Sequence, residues 1–320
     1  MPARLSTPSH PLLDDSFSLP VDEPFSLQQA LDAGLTRHRL RMLEKHLLVR
    51  RVVKGVYVAA QVPDSRSLRC RALLLLTSRH CVGADWTACW VWTGLLPPNG
   101  HRDEPAPSIF RQAGHARLRN GICTSGERSF LPEDLTVVDG LTLTTPIRTA
   151  WDLGRLAHRD QAIGAIDALL RLGDFSKAQL VGGVERFKGE RGVVQLRELA
   201  PKGDPRSESP QESTLRLRWL DLPHLPPPTP QVRILVGGIE VYRLDLGVPE
   251  LLYGCEYDGD EFHGEDVADN DEARRTDLRR RFGWDVDAVR RTNLYGATRD
   301  VEEILVRGIL RARRRLGRPH

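Results

Sequence analysis

The last third of the chain strings short apolar runs and charged runs together in an order that few folds can accommodate. "VRILVGG", "EVYRLDLGV" and "ELLYGCEYDG" read as three strands in succession. Ahead of them, "QESTLRLRWLDL" reads as a short amphipathic helix with Leu215, Trp219 and Leu222 on one stripe, followed by the proline-rich turn "PHLPPPTPQ". Behind them, "DEARRTDLRRRFGWDVDAV" gives a basic helix, a stop at Gly283 and another strand. The final "DVEEILVRGILRARRRLGRPH" is a helix with an arginine-rich end. Helix, three strands, helix, strand, helix is an α/β plan.

A chain of 320 residues exceeds one ordinary domain, so two or three are expected. Residues 1–24, rich in Pro, Ser and Asp, read as a disordered leader rather than a secretory signal. Residues 25–60 form a first domain, 61–205 a mostly helical α+β middle region, and 206–320 the α/β domain, with "PKGDPRSESP" as the linker-like patch. The fold class is therefore α/β multi-domain. No window approaches roughly 18 uncharged apolar residues, so no membrane partner is expected. Five cysteines, odd in number and without a C-x-x-C pair, argue against a zinc ribbon or a disulfide framework and for a cytoplasmic protein. The net charge of +3 balances 46 basic against 43 acidic residues, so only the distribution of charge is informative.

That distribution is uneven at the N-terminal end. In "FSLQQALDAGLTRHRLRMLEKHLLVRRVVKGVYVAA", Ser26 caps a short helix from Leu27 to Ala33, which Gly34 ends. Thr36 caps a second helix to about His46, with Leu40, Leu43 and Leu47 as its apolar face. "LVRRVVKGVYVA" then reads as two strands turning at Lys54-Gly55. This is the order of a winged helix-turn-helix. Arg37, Arg41 and Lys45 recur at four-residue steps, with Arg39 on the same helix and Arg50, Arg51 and Lys54 on the hairpin. Two readings fit: a helix entering the major groove beside a basic wing, or a solvated helical face.

The middle region is plainer. "RCRALLLLTSR" suggests a buried helix and "CVGADWTACWVWTGLL" a second one. "GLTLTTPIRTAWDLGRL" reads as a strand, a turn at Pro146 and a helix from about Thr149, and "RDQAIGAIDALLRL" as a helix burying Ile163, Ile166, Leu169 and Leu170. Its scattered histidines show no metal-ligand spacing.

Chemistry concentrates in the strands. In "YRLDLGV" Leu244 and Leu246 point one way and Asp245 the other, and in "CEYD" Glu256 and Asp258 share a face. Were the two strands antiparallel neighbours, Asp245 would stand beside Glu256. Converging carboxylates repel one another, and a hard divalent cation relieves that repulsion. The plainer alternative makes Asp258-Gly259 a hairpin turn and pairs the acids with nearby arginines.

Asp245, Glu256-Tyr257-Asp258-Gly259, His263, the basic helix and Gly283-Trp284 together resemble the PD-(D/E)XK nuclease superfamily, and within it the very-short-patch-repair-like endonuclease branch. The N-terminal helix-turn-helix with "GVYV", and the later "TPIRTAWDLGR", are similar to AbiEi-type antitoxin proteins. The resemblance implies a restriction-endonuclease-like fold for residues 206–320, with Asp245 and Glu256 as ligands of Mg²⁺ or Mn²⁺. Glu212, on the preceding helix, would complete the set, and His263 would act as general base or leaving-group acid. Arg274, Arg275, Arg279, Arg280 and Arg281 would track the phosphate backbone. Asp258, expected in the same catalytic site as Asp245, Glu256, Glu212 and His263, stands where the wider superfamily carries a lysine. Two functions follow as expectations: a DNA-binding protein with a Mg²⁺-dependent endonuclease domain, or a non-enzymatic DNA-binding antitoxin and autorepressor of a type IV toxin–antitoxin system. The second brings a cognate toxin as partner, and either is compatible with a homodimer. Arg311 and Arg313 to Arg315 suit a nucleic acid or a solvated helix end.

Overall fold

The structure, a computed structural model, describes residues 12–14, 16–78, 80–96, 106–112, 118–259 and 265–317. It is a mixed α/β, multi-domain chain. Its contacts divide it into two compact units, Met1–Thr149 and Ala150–His320, so the middle region 61–205 is shared between them.

The first unit begins with β1 (Phe25–Ser26), α1 (Leu27–Asp32), α2 (Arg37–Lys45), β2 (Val49–Val53) and β3 (Val56–Ala59). Local side-chain chemistry sets these boundaries. Ser26 and Gln29 form a reciprocal capping box on α1, and the Thr36 hydroxyl accepts the Arg39 N–H at the start of α2. Gly34 and Gly55 take positive φ, which only glycine adopts without strain, one after α1 and one in the β2–β3 turn. The strands pair antiparallel in the order β1-β3-β2, over a core of Phe25, Leu40, Val49 and Tyr57. Leu47 departs from the expected apolar face of α2: it turns left-handed at φ 57° beyond the helix end and is 54% exposed.

The rest of this unit holds α3 (Arg66–Leu74), β4 (Cys81–Gly83), α4 (Asp85–Thr93), β5 (Ile109–Gln112), β6 (Glu127–Arg128), β7 (Leu135–Val138) and β8 (Leu141–Thr144). Cys81–Gly83, read from sequence as the start of a helix, is instead a strand in a five-stranded sheet ordered β6-β5-β4-β8-β7, and the helix begins only at Asp85. Three buried residues carry too short a pattern to separate strand from helix. The helix α5 (Pro146–Leu156) starts at Pro146 itself rather than near Thr149. Proline suits a first helical turn, where its missing N–H has no partner to lose. Of the cysteine thiols, those of Cys70 and Cys89 are pushed up by burial, to about 11 and about 12.

The second unit continues with α6 (Arg159–Leu170), α7 (Lys177–Gly182), α8 (Val193–Leu199), α9 (Pro210–Leu220), β9 (Thr229–Val236), β10 (Ile239–Val248), β11 (Tyr253–Tyr257), α10 (Glu265–Phe282), β12 (Asp285–Val289), α11 (Arg291–Leu294) and α12 (Val301–Arg315). The sheet order is β12-β11-β10-β9, with β9, β10 and β11 antiparallel and β11 parallel to β12 across the α10 connection. One sheet face packs Leu246, Tyr253 and Cys255 against Leu215 and Trp219 of α9 and Leu305 and Ile309 of α12. The other packs Val232, Ile234 and Leu244 against Leu278 of α10 and Trp284. The alternation expected along β10 is therefore not kept: Leu244 and Leu246 enter different cores, on either side of Asp245. The neighbouring strand is irregular at the same level, where Gln231 takes φ 54°. Nor is α9 simply amphipathic. Seven of its eleven residues are buried, because α6 packs on it as well as the sheet.

Among the described residues, no helix is long and apolar enough to cross a membrane.

Candidate carboxylate site and basic surfaces

The site forms where β10, β11, α9 and α10 meet. Leu246 pairs with Cys255 in the antiparallel β10–β11 ladder, and the same register carried one step outward sets Asp245 beside Glu256. Asp245 Oδ2 accepts the backbone N–H of Tyr257 at 2.8 Å, which fixes the carboxylate across the strand pair. Its carboxyl is nonetheless pushed up to about 7, chiefly by burial and then by the charge of Glu212, with Glu256 adding to it; the Tyr257 hydrogen bond and Arg274 act in the opposite direction.

Glu212 enters this field from the first turn of α9. Ser209 caps that helix by accepting the Glu212 N–H at 3.1 Å, and Pro210 stands in its first turn. The Glu212 carboxylate reaches back to the Glu208 N–H at 2.9 Å and also accepts the Gln231 amide at 2.8 Å. Glu212 thus ties the residue ahead of the Ser209 cap to the first turn of α9, and its charge acts on Asp245.

Glu256 is held by a guanidinium. Arg274 on α10 donates to both of its carboxylate oxygens at 2.7 Å, and its Nη2 also reaches the carbonyl of Arg243 at 3.1 Å. Asp258 does not join the three acids in an ionic contact; it pairs with Arg290 at 3.3 Å, and its N–H bonds the Val289 carbonyl. His263 lies outside the described residues. Among the described residues, no three His, Cys, Asp or Glu side chains gather closely enough to hold a metal ion by themselves.

The donors still suit a divalent cation. Asp245 and Glu256 offer hard carboxylate oxygens from adjacent strands, the set that Mg²⁺ takes together with waters and phosphate oxygens. The Asp245 carboxyl is raised chiefly by its burial, with the charges of Glu212 and Glu256 adding to that. Arg274 supplies the positive charge at Glu256 in the structure described. Sequence reasoning placed Arg274 only on a phosphate-facing helix; its contact with an acid 18 positions earlier has no local signature. Gln231, whose amide donates to Glu212 at 2.8 Å and whose φ is 54°, has no local signature in the sequence either.

The basic surfaces divide into exposed and engaged residues. Arg37, Arg39, Arg41 and Lys45 are exposed on α2, and Lys54 is exposed in the hairpin turn. Arg50 instead donates to the Val62 carbonyl at 2.9 Å, and Arg51 bridges Glu44 at 3.2 Å while lying 5.6 Å from the Tyr57 ring centre. On α10, Arg275 is half-buried and Arg280 exposed, whereas Arg279 pairs with Asp285 and Arg281 with Asp277. At the C-terminal end, Arg311 binds Asp285 and Asp287, and Arg315 reaches the carbonyls of Leu251 and Leu252, so these two fasten α12 to the sheet.

No family model matches the chain. Two curated proteins do: "Uncharacterized protein Rv2248" of Mycobacterium tuberculosis strain ATCC 25618 / H37Rv, and "Uncharacterized protein MT2308" of strain CDC 1551 / Oshkosh. Each is 32% identical over 230 residues, which cover 72% of this chain and 80% of the relative. The chain belongs to the family of these mycobacterial proteins.

Proposed function

We propose that this protein binds DNA through its N-terminal helix-turn-helix and hydrolyses phosphodiester bonds at the carboxylate site of its second unit, a PD-(D/E)XK-type endonuclease domain. The observation that carries this reading is Asp245 set beside Glu256 across the β10–β11 pair, where burial first, and then the charges of Glu212 and Glu256, push its carboxyl up to about 7. Such an arrangement costs stability unless a cation balances it, and so points to ligand binding rather than to folding. The order β1, α1, α2, β2, β3, with an exposed basic face on α2, supports a winged helix as the DNA-binding end.

In this reading Asp245 and Glu256 hold Mg²⁺ or Mn²⁺, which when bound polarises the scissile phosphate and lowers the pKa of the attacking water. Tyr257, through its backbone N–H, keeps Asp245 oriented toward the gap between the strands. Glu212, fixed by the Glu208 N–H and the Gln231 amide, orients the water. His263 serves as general base or leaving-group acid, and the arginines of α10 contact the backbone of the nucleic acid. The protein works in the cytoplasm, where its DNA is.

A second reading is favoured by one observation: both oxygens of Glu256 are filled by Arg274. In that case the domain is a non-enzymatic module, and the protein is a DNA-binding antitoxin and autorepressor paired with a cognate toxin. A homodimer reading paired half-sites is compatible with both. Incubation of plasmid and short single- and double-stranded DNA with Mg²⁺, Mn²⁺ or EDTA separates the two. Metal-dependent nicking that Glu256→Ala abolishes supports the nuclease. Binding without product under every metal sinks it and leaves the antitoxin.

A further inference from the structure

Arg274 is seated more firmly than a surface arginine waiting for a phosphate. Its two terminal nitrogens each donate to a different oxygen of Glu256 at 2.7 Å, one of them also to the Arg243 carbonyl at 3.1 Å, and its guanidinium lies 5.7 Å from the Tyr242 ring centre. Tyr242 is itself tied to α10, donating its hydroxyl to Asp277 at 2.8 Å. The clasp is largely sheltered, with the Glu256 side chain 15% and that of Arg274 31% exposed. Both carboxylate oxygens are thus engaged, and a positive charge already stands where a cation bound to Glu256 would come. A dication and a guanidinium sharing one carboxylate repel each other, so the two occupants exclude one another.

A guanidinium fork fits a phosphodiester as well as it fits a carboxylate. We propose, resting on the nuclease reading above, that Arg274 is a tethered stand-in for the divalent cation at Glu256 and is handed over to a backbone phosphate of the nucleic acid when the cation loads. In the free protein Arg274 keeps Glu256 from binding metal. A bound nucleic acid offers the guanidinium a second anion, so that metal and DNA each strengthen the binding of the other. Arg274 is then a positioning residue that confines metal loading to the DNA-bound protein.

The test reads metal binding directly, by electron paramagnetic resonance titration of Mn²⁺ into the full chain, with and without a short phosphorothioate duplex that resists cleavage. In the parent protein the duplex should raise Mn²⁺ affinity. Arg274→Gln should raise Mn²⁺ affinity about tenfold without DNA, roughly a 1.4 kcal/mol change, and should abolish the further gain on adding duplex. Arg274→Lys, which keeps the charge but loses the fork, should lie between and serves if the glutamine variant fails to fold. Arg233→Gln, which removes an equal charge from the β9–β10 hairpin, should leave Mn²⁺ affinity unchanged. Mn²⁺ binding that depends on Asp245 and Glu256 but ignores Arg274, or that Arg233→Gln raises equally, overturns the hand-over and leaves the nuclease reading standing. Mn²⁺ binding that ignores Asp245 and Glu256 overturns both.

Discussion

The backbone N–H of Tyr257 donates to Asp245 at 2.8 Å across the β10–β11 pair, yet burial and the charges of Glu212 and Glu256 push the Asp245 carboxyl up to about 7. In the unfolded chain an aspartate titrates near ~3.9. Between these values the folded state holds a proton that the unfolded state has lost, so stability falls as pH rises from about 4 to about 7 and is level above that. Asp245→Asn keeps an acceptor for Tyr257 and removes the charge. It should match the parent near pH 4 and exceed it by roughly a few kcal/mol at pH 8. Urea unfolding at the two pH values reads the difference, and equal stabilities at pH 8 would contradict it.

A buried ion pair locks α9 onto α6. Arg216 donates to Asp167 at 2.6 Å, the two side chains being 4% and 0% exposed, and it also binds the Lys202 carbonyl and the Ser207 hydroxyl. Burial raises the Asp167 carboxyl even with Arg216 beside it. Arg216→Met should cost about 3–5 kcal/mol, because it strands a buried carboxylate. Adding Asp167→Asn should recover part of that loss in denaturant unfolding. A double variant less stable than Arg216→Met alone would rule the pair out as the cause.

Gly308 lets α12 approach β11. A Cβ at this position would run into the ring and hydroxyl of Tyr253, which is fully buried and hydrogen-bonded to Asp287 at 2.9 Å. Gly308→Ala should therefore destabilise by roughly 1–3 kcal/mol, despite alanine's better helix propensity. A lowered midpoint in thermal unfolding is the expected result; an unchanged or raised one would show that the helix can shift outward freely.

Under the proposed function, Arg37→Ala with Arg41→Ala should weaken duplex binding and flatten its salt dependence by about one unit of slope per charge removed. Anisotropy titrations at several salt concentrations measure both. If binding and slope stay at parent values, the basic face of α2 is a solvated surface. Arg50 and Arg51, engaged by Val62 and by Glu44, should contribute less to the slope than the exposed α2 arginines.

Much of the local architecture was legible in the sequence because its partners lie within a few residues. Ser26 and Thr36 cap α1 and α2 through hydroxyls that reach N–H groups three positions on, and Gly55 turns the β2–β3 hairpin with a positive φ. The same holds for α6, whose Ile163, Ile166 and Leu169 are fully buried at helical spacing. The sequence marked β10 and β11 as strands and set Asp245 near Glu256 only on the condition that the two strands pair antiparallel, which they do, although the alternation read along β10 is not kept.

What the sequence could not settle depends on segments that meet only after folding. Cys81–Gly83 becomes a strand because β5 and β8 flank it, and α9 is buried on more than one side because α6 covers what would otherwise be its solvent face. Asp258, which shares a strand pattern with Glu256, goes to Arg290, while Glu256 goes to Arg274. A carboxylate's choice among arginines is a matter of distance in space, and charge on a sequence carries no distance. The sequence by itself marked Asp245, Glu256 and Glu212 as candidate acids, while their pairing, burial and balance of charge, with Arg274 and Gln231 as partners, were decided by the tertiary structure.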